Sequence, residues 1–103
     1  LIFFVNINTF NTSSAETIRK GKVVLVLDSC DYFLVLSQNG DYAVLEWYRG
    51  VKPQKGDVII GNFESYGFKT LYNLSRRRSM RVWVEDYMLD EETAIEILFE
   101  NCD

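Results

Sequence analysis

The sequence contains no histidine, one proline and only two cysteines among its 103 residues. Without histidine, Ser-His-Asp and Cys-His catalytic arrangements are excluded, and two distant cysteines are too few for the common zinc sites. No glycine-rich segment has the spacing of a P-loop or a dinucleotide fingerprint. No apolar run approaches the roughly 20 residues of a transmembrane helix. We therefore predict a non-enzymatic protein that uses no cofactor or metal and has no membrane partner.

Carboxylates are plentiful, but their spacing is not that of a calcium site. Asp28 and Asp31 flank a short polar segment, and Asp90 begins the run Asp-Glu-Glu. Neither group has the regular spacing of a calcium-binding loop. A turn accounts for the first pair and the start of a helix for the second.

The two cysteines, Cys30 and Cys102, leave two interpretations open. A disulfide would tie the end of the chain to the turn that contains Cys30, whereas two free thiols are ordinary in a cytoplasmic protein. Two cysteines alone do not define a disulfide framework. The interpretation that we favour from the sequence is a cytoplasmic protein with two free thiols.

The N-terminal segment LIFFVNINTF has an apolar run of only five residues with no basic residue before it. These features do not favour the remnant of a signal peptide. Residues 2–9 alternate loosely instead, which predicts a first β-strand. Residues 12–20 are polar and predict a connector or a short helical turn that stops at Gly21.

Short β-branched and aromatic segments joined by turns dominate the middle of the chain. Aromatic residues make up 15% of the sequence, a composition that favours strands over a helical bundle. Residues 23–27 and 32–36 are apolar runs on either side of a polar turn, and Asn39-Gly40 predicts a hairpin because both residues tolerate positive φ. Further strands are predicted over residues 42–48, 58–60, 69–74 and 80–85.

Residues 89–100 predict a helix. Asp90 suits the N-cap position, and the two glutamates that follow it suit the positive end of the helix dipole. One side carries an apolar stripe, and the other carries glutamates at every fourth position. The predicted stripe consists of Ala94, Ile95, Leu98 and Phe99, widened by Ile97. The glutamates are Glu92, Glu96 and Glu100.

Five to seven short strands with tight turns predict one mostly β domain, an antiparallel barrel with a C-terminal α-helix. The central runs are apolar on both faces, so one face can fill the barrel while the other needs a cover. Residues 1–20 are expected to supply an N-terminal strand and connector, residues 21–75 the barrel core, and residues 76–103 an extra strand and an acidic helix.

The order of signals over residues 21–75 resembles an S1-like OB-fold domain. GKVVLV at residues 21–26 is similar to the first strand of such domains, and YFLVL at residues 32–36 to the second. KGDVI at residues 55–59 is similar to the Gly-Asp entry to the fourth strand, and NLS at residues 73–75 to the end of the fifth. The resemblance covers about half of the chain. It implies an OB-like barrel and the binding of single-stranded nucleic acid.

Charge is distributed unevenly along the chain. Residues 1–81 contain all 11 lysines and arginines, whereas residues 82–103 contain eight of the 15 acidic residues and no basic one. Basic clusters with nearby aromatic residues are typical of barrels that bind single-stranded nucleic acid. The candidate residues for that function are Trp47, Lys69, Tyr72, Arg76, Arg77 and Arg78.

The acidic C-terminal segment favours a different function, a protein-interaction module. An acidic helix could engage a basic protein partner, and the alternating residues 80–86 could support self-association with Trp83 as an anchor. The candidate residues for that function are Trp83, Glu85, Glu92, Glu96 and Glu100. Because the net charge is −4, we rank protein interaction above nucleic-acid binding.

Overall fold

Residues 17–102 are described by a computed structural model and form six strands and one helix. The strand predicted over residues 2–9 lies outside this part of the chain. The elements are β1 Arg19–Val26, β2 Tyr32–Ser37, β3 Tyr42–Gly50, β4 Val58–Gly61, β5 Gly67–Asn73, β6 Arg78–Leu89 and α1 Glu91–Asn101.

The six strands close into an antiparallel barrel in the order β1-β2-β3-β6-β5-β4, with β4 returning to β1. The predicted fold class, a mostly β antiparallel barrel with a C-terminal helix, is thereby confirmed. The Asn39-Gly40 hairpin is also confirmed, since it joins β2 to β3 and Gly40 has a φ of 96°. Gly21 does not end a helical turn, because β1 has already begun at Arg19 and pairs through Gly21 with β2 and β4.

Strand β6 lies in the barrel wall between β3 and β5. It corresponds to the extra strand predicted after residue 75, and it pairs with β5 along seven residue pairs from Gly67↔Val84 to Asn73↔Arg78. Its buried residues alternate with more exposed ones, as the predicted strand pattern required. Met80, Val82 and Val84 face the barrel interior, while Arg81, Trp83 and Glu85 lie on the outer side.

The barrel interior is filled by apolar side chains from all six strands, and Phe63 closes it from the segment between β4 and β5. Phe63 is fully buried. Its ring lies so close to Gly21 that a Cβ atom at Gly21 would be 2.9 Å from Phe63 Cζ and 2.6 Å from Val35 Cγ1. The absence of a side chain at Gly21 therefore makes room for this aromatic ring.

Helix α1 covers the outer side of β2 and β3. Ala94 and Leu98 pack against Leu34 and Val44, and these four residues form a second apolar cluster outside the barrel. The N-cap prediction is confirmed, since the Oδ1 atom of Asp90 accepts a hydrogen bond from the Thr93 backbone N–H at 2.8 Å, which lowers the pKa of Asp90.

The predicted apolar stripe of the helix needs one correction. Phe99 is 53% exposed, whereas Ile95 and Ile97 pack against the covered sheet face. Ala94 and Leu98 are four residues apart and define the buried line of the helix. Phe99 stands in the last turn beside that line and is not part of the apolar cluster under the helix.

Cys30 and Cys102 form a disulfide that ties the end of α1 to the turn between β1 and β2. Their Cα atoms are 5.5 Å apart although 72 positions separate them in sequence. The expectation of two free thiols is therefore wrong. The physical reason is that α1 packs against β2 and β3. This packing brings Cys102, the residue after the helix, to the turn that contains Cys30.

A buried carboxylate fixes the turn between β5 and β6. The Oδ2 atom of Asp57 accepts hydrogen bonds from Asn73 Nδ2 at 2.9 Å, from Arg76 Nε at 3.0 Å and from the Gln54 backbone N–H at 3.0 Å. Arg76 also donates to the Gln54 side chain. Burial alone would raise the pKa of Asp57, but these donors and the Arg76 charge hold it below its usual range.

We expect Asp57 to make the stability of the protein depend on pH. A carboxylate whose pKa is lower in the folded state stabilises that state above its unfolded pKa of about 3.9, and this contribution disappears as the pH falls through the lowered value. In Asp57→Asn the free energy of unfolding should change less over this acidic range than in the wild type. Urea unfolding between neutral pH and about pH 2 measures the difference.

The matched control for this experiment is Asp28→Asn, which removes an exposed carboxylate in a turn. It should keep the acid dependence of the wild type. Equal acid dependence in Asp57→Asn and wild type would contradict a stabilising role for the Asp57 charge.

Candidate functional site on the outer face of β3, β5 and β6

Exposed aromatic rings form a continuous row across three neighbouring strands. The ring of Phe68 on β5 contacts Tyr48 on β3 and Trp83 on β6, with centroid distances of 4.8 and 4.9 Å and edge-to-face angles of 86° and 70°. Tyr72 continues the row on β5, on the same side of the sheet as Phe68. We call Tyr48, Phe68, Tyr72 and Trp83 the aromatic face.

The rings of the aromatic face are held in place but are not buried. Tyr48 is 51% exposed, Phe68 44% and Tyr72 40%. Their backbones belong to strands that are hydrogen-bonded on both sides within the barrel, and the edge-to-face contacts restrict the rings of Tyr48, Phe68 and Trp83 further. Adjacent exposed apolar side chains of this size are typical of an interaction surface.

Arginines border the face on one side. The Arg81 guanidinium lies 5.5 Å from the centroid of the Phe68 ring, a cation–π distance, and Arg81 Nη1 donates to Thr70 Oγ1 at 3.1 Å. Arg49 lies directly opposite Arg81 in the β3–β6 register and is exposed. Together with Tyr48 and Phe68, the two arginines line a shallow depression of about 330 Å³.

Acidic groups border the other side. Trp83 Nε1 donates a hydrogen bond to Glu85 Oε1 at 3.1 Å, and Glu46 lies opposite Trp83 in the β3–β6 register. Next to them the Tyr66 hydroxyl donates to Asp86 Oδ1 at 3.1 Å, which raises the pKa of Tyr66. The face therefore has an aromatic centre, a basic end and an acidic end.

Tyr32 extends the acidic side to β2, since it lies opposite Glu46 in the β2–β3 register. Burial, a hydrogen bond with Glu46 and the nearby Glu85 charge together raise the pKa of Tyr32 to about 12. Tyr32 therefore stays protonated at physiological pH. Its hydroxyl can therefore donate its proton in a hydrogen bond.

The residues predicted to bind nucleic acid come together only in part. Trp47 packs against the barrel interior with Lys52 5.1 Å from its ring centroid, and its Nε1 atom has no hydrogen-bond partner among residues 17–102. Arg76 is committed to the Asp57 ion pair at 3.0 Å. Tyr72 belongs to the aromatic face, and Lys69 lines an adjoining depression beside Phe68.

Arg77 and Arg78 are exposed where the β5–β6 turn leads into β6. Arg78 pairs with Asn73 and Ser79 pairs with Tyr72 in the β5–β6 register, so both arginines follow closely after the position of Tyr72 in the barrel wall. Arg76 uses its guanidinium in the ion pair with Asp57. The guanidinium groups of Arg77 and Arg78 make no hydrogen bond or ion pair within residues 17–102.

The residues predicted for protein interaction divide into two groups. Trp83 and Glu85 lie on β6 within or beside the aromatic face. The helix glutamates are exposed on a different element, α1, which covers β2 and β3. These glutamates are Glu92, Glu96 and Glu100. Trp83 and Glu85 therefore belong to the surface formed by the aromatic face. The three glutamates lie apart from it, on the solvent-facing side of the helix.

Tyr48, Phe68 and Arg81 were missed as site residues by the sequence analysis. The alternation at residues 68, 70 and 72 of β5 would have placed Phe68 beside Tyr72. The contacts of Phe68 with Tyr48 and Arg81 could not be predicted in this way, because they depend on the order of the strands, in which β6 lies between β3 and β5.

Residues 17–102 contain no helix that is long and apolar enough to cross a membrane. Over the same residues, no three His, Cys, Asp or Glu side chains are grouped so that they could hold a metal ion. Comparison of the chain with models of protein families, with curated proteins and with solved structures gave no match. Among the described residues, the aromatic face is the feature whose geometry indicates a function.

Proposed function

We propose that this protein is a non-enzymatic protein-interaction module and that the aromatic face is its binding surface. The observation that carries the proposal is the row of Tyr48, Phe68 and Trp83, whose rings touch across three strands of a closed barrel. Tyr, Trp and Arg contribute most of the binding energy in protein interfaces. All three residue types are present here, with Arg81 stacked on Phe68.

Preorganisation supports the same function. A side chain that is already ordered before binding loses little conformational entropy when the partner arrives. The rings of Phe68 and Trp83 are held by each other, and Trp83 is fixed further by its hydrogen bond to Glu85. This surface can therefore bind a partner without paying the ordering cost of a flexible loop.

Single-stranded nucleic acid is the alternative ligand, in keeping with an OB-like barrel. It is favoured by the exposed Arg77 and Arg78 near Tyr72, because basic groups beside aromatic rings suit a polynucleotide. Against it stand Glu46 and Glu85 beside the central ring and a net charge of −4. Both repel a phosphate backbone, so a protein partner is the better fit.

We also propose that the protein folds in an oxidising compartment rather than in the cytoplasm. The support is the disulfide that joins the only two cysteines of the chain. Such bonds persist in secreted and periplasmic proteins and are rare where thiols are kept reduced. Non-reducing electrophoresis of alkylated protein from host cells should show the oxidised form.

Photo-crosslinking tests the binding surface directly. A photoreactive phenylalanine analogue is placed at Tyr48 in one variant and at Phe99 in another, because these aromatic residues are 51% and 53% exposed on different faces. In host extract, position 48 should give a discrete protein adduct and position 99 should not. The adduct should weaken at least about tenfold when Phe68→Ser removes the central ring.

The nature of the adduct distinguishes the two ligands. A nuclease-sensitive adduct at position 48 would establish the nucleic-acid alternative in place of a protein partner. Equal adducts at positions 48 and 99, or none at position 48, would reject the aromatic face as the binding surface.

A further inference from the structure

We propose that one partner of the aromatic face is a second copy of the same chain, in a two-fold symmetric dimer centred on Trp83. This inference depends on the proposed function, since it uses the same surface. A symmetric interface requires a patch that is complementary to itself after a two-fold rotation. The order of charges along β6 meets that requirement.

Arg81, Trp83 and Glu85 occupy successive outward positions of β6. Alternate residues of a strand are about 6.7 Å apart, so the positive and the negative side chain flank the central ring on opposite sides along β6. A two-fold axis that lies in the plane of the contact, perpendicular to β6 and level with Trp83, would bring Arg81 of each copy opposite Glu85 of the other. One such arrangement forms two equivalent ion pairs on either side of a Trp83–Trp83 contact.

The neighbouring strands extend this complementarity. Arg49 lies beside Arg81 at the basic end of the face, and Tyr66 holds Asp86 beside Glu85 at the acidic end. The same rotation superimposes the basic end of one copy on the acidic end of the other. Arg49 of one copy would then approach Asp86 of the second copy, and Tyr48 and Phe68 would lie at the centre of the contact.

A dimer centred on Trp83 must form through side chains rather than through strand pairing. The predicted self-association of residues 80–86 falls within β6, whose backbone is paired with β3 on one side and, as far as Val84, with β5 on the other. A second copy therefore finds no unpaired edge at Trp83. Contact between faces made of rings and exposed charges should be reversible and should weaken with salt.

Sedimentation equilibrium of charge-reversal variants tests the proposal. The wild type should change from monomer to dimer as its concentration rises. Arg81→Glu and Glu85→Arg should each weaken the dimer at least about tenfold, because each places like charges in contact twice. An equimolar mixture of the two variants should form a heterodimer as tight as the wild-type dimer, since each reversed charge then meets its opposite.

Glu96→Arg on the outer side of α1 is the matched control, as it also reverses one acidic charge. It should leave the dimer unchanged. Circular dichroism confirms the fold of each variant, and Tyr48→Ser provides a second disruption of the contact that leaves all charges in place. A wild type that stays monomeric at millimolar concentration, or a mixture that fails to associate, would overturn the proposal.

The result is separable from that of the photo-crosslinking experiment. A monomeric wild type that still gives a protein adduct of a different mass at position 48 would remove the dimer and keep the interaction module. A dimer without any other adduct would make self-association the function of the aromatic face.

Discussion

Reduction of the Cys30–Cys102 disulfide is expected to lower the midpoint of thermal unfolding by on the order of 20 °C. The bond closes a loop across 72 sequence positions, and the chain-entropy model gives roughly 4 kcal/mol for a loop of this length. Scanning calorimetry with and without reductant measures the shift. Hydrogen exchange should also become faster in α1, because the bond anchors the end of the helix to the barrel.

The double variant Cys30→Ser with Cys102→Ser should unfold at the same temperature as the reduced wild type. Each single variant should be close to the double variant, since either change breaks the same bond. Reductant should have no effect on the double variant. If the oxidised and reduced wild types unfolded at the same temperature, the disulfide would not contribute to stability.

Truncation of Phe63 to alanine is expected to cost about 4 kcal/mol of unfolding free energy. Phe63 is fully buried and belongs to the apolar cluster that fills the barrel interior. Removing it leaves a cavity that the closed barrel cannot collapse to fill. Since small domains are stable by about 5–15 kcal/mol, this is a large fraction of the stability of the fold. Urea unfolding measures the change.

Phe99→Ala is the matched control, because it truncates the same side chain at a position that is 53% exposed. We expect it to change the free energy of unfolding by less than about 0.5 kcal/mol. Phe63→Leu should fall between the two alanine variants, as it restores part of the lost volume. Similar losses for Phe63→Ala and Phe99→Ala would contradict the role of Phe63 as a core residue.

Features set by neighbouring residues were predictable from the sequence. The Asn39-Gly40 hairpin, the alternation in β6 and the Asp90 N-cap each depend on residues a few positions apart, and all three are present in the structure. The mostly β fold with one C-terminal helix follows from the same local signals. The expected outer cover is also present, since α1 lies on the apolar outer face of β2 and β3.

Features set by distant residues were not predictable in this way. The Cys30–Cys102 bond depends on where α1 rests, and two cysteines separated by 72 positions are equally compatible with free thiols. The Phe63 ring fits into the core because Gly21 has no side chain. Phe63 lies between β4 and β5, outside any strand, so the alternation of apolar residues in strands does not predict its burial.

The candidate site shows the same division. Trp83 and Glu85 could be predicted to share one face from their spacing in β6. Their contact with Tyr48 and Phe68 follows only from the order of strands around the barrel, in which β6 separates β3 from β5. Trp47 looked like an exposed stacking residue because basic residues surround it in sequence, yet it packs against the barrel interior.

Closure of the barrel through β1–β4 and β3–β6 also determines how the chain can fold. The hairpins β1–β2 and β2–β3 can form early because their partners are adjacent, but Tyr42↔Leu89 and its neighbours must wait until distant parts of the chain meet. Contacts of such large sequence separation are typical of domains that fold in milliseconds to seconds. Packing of the helix on this wall brings Cys102 to Cys30 and so favours their oxidation. Because the chain has only two cysteines, oxidation within one molecule can form only this bond, and no mispaired isomer competes with the closed barrel.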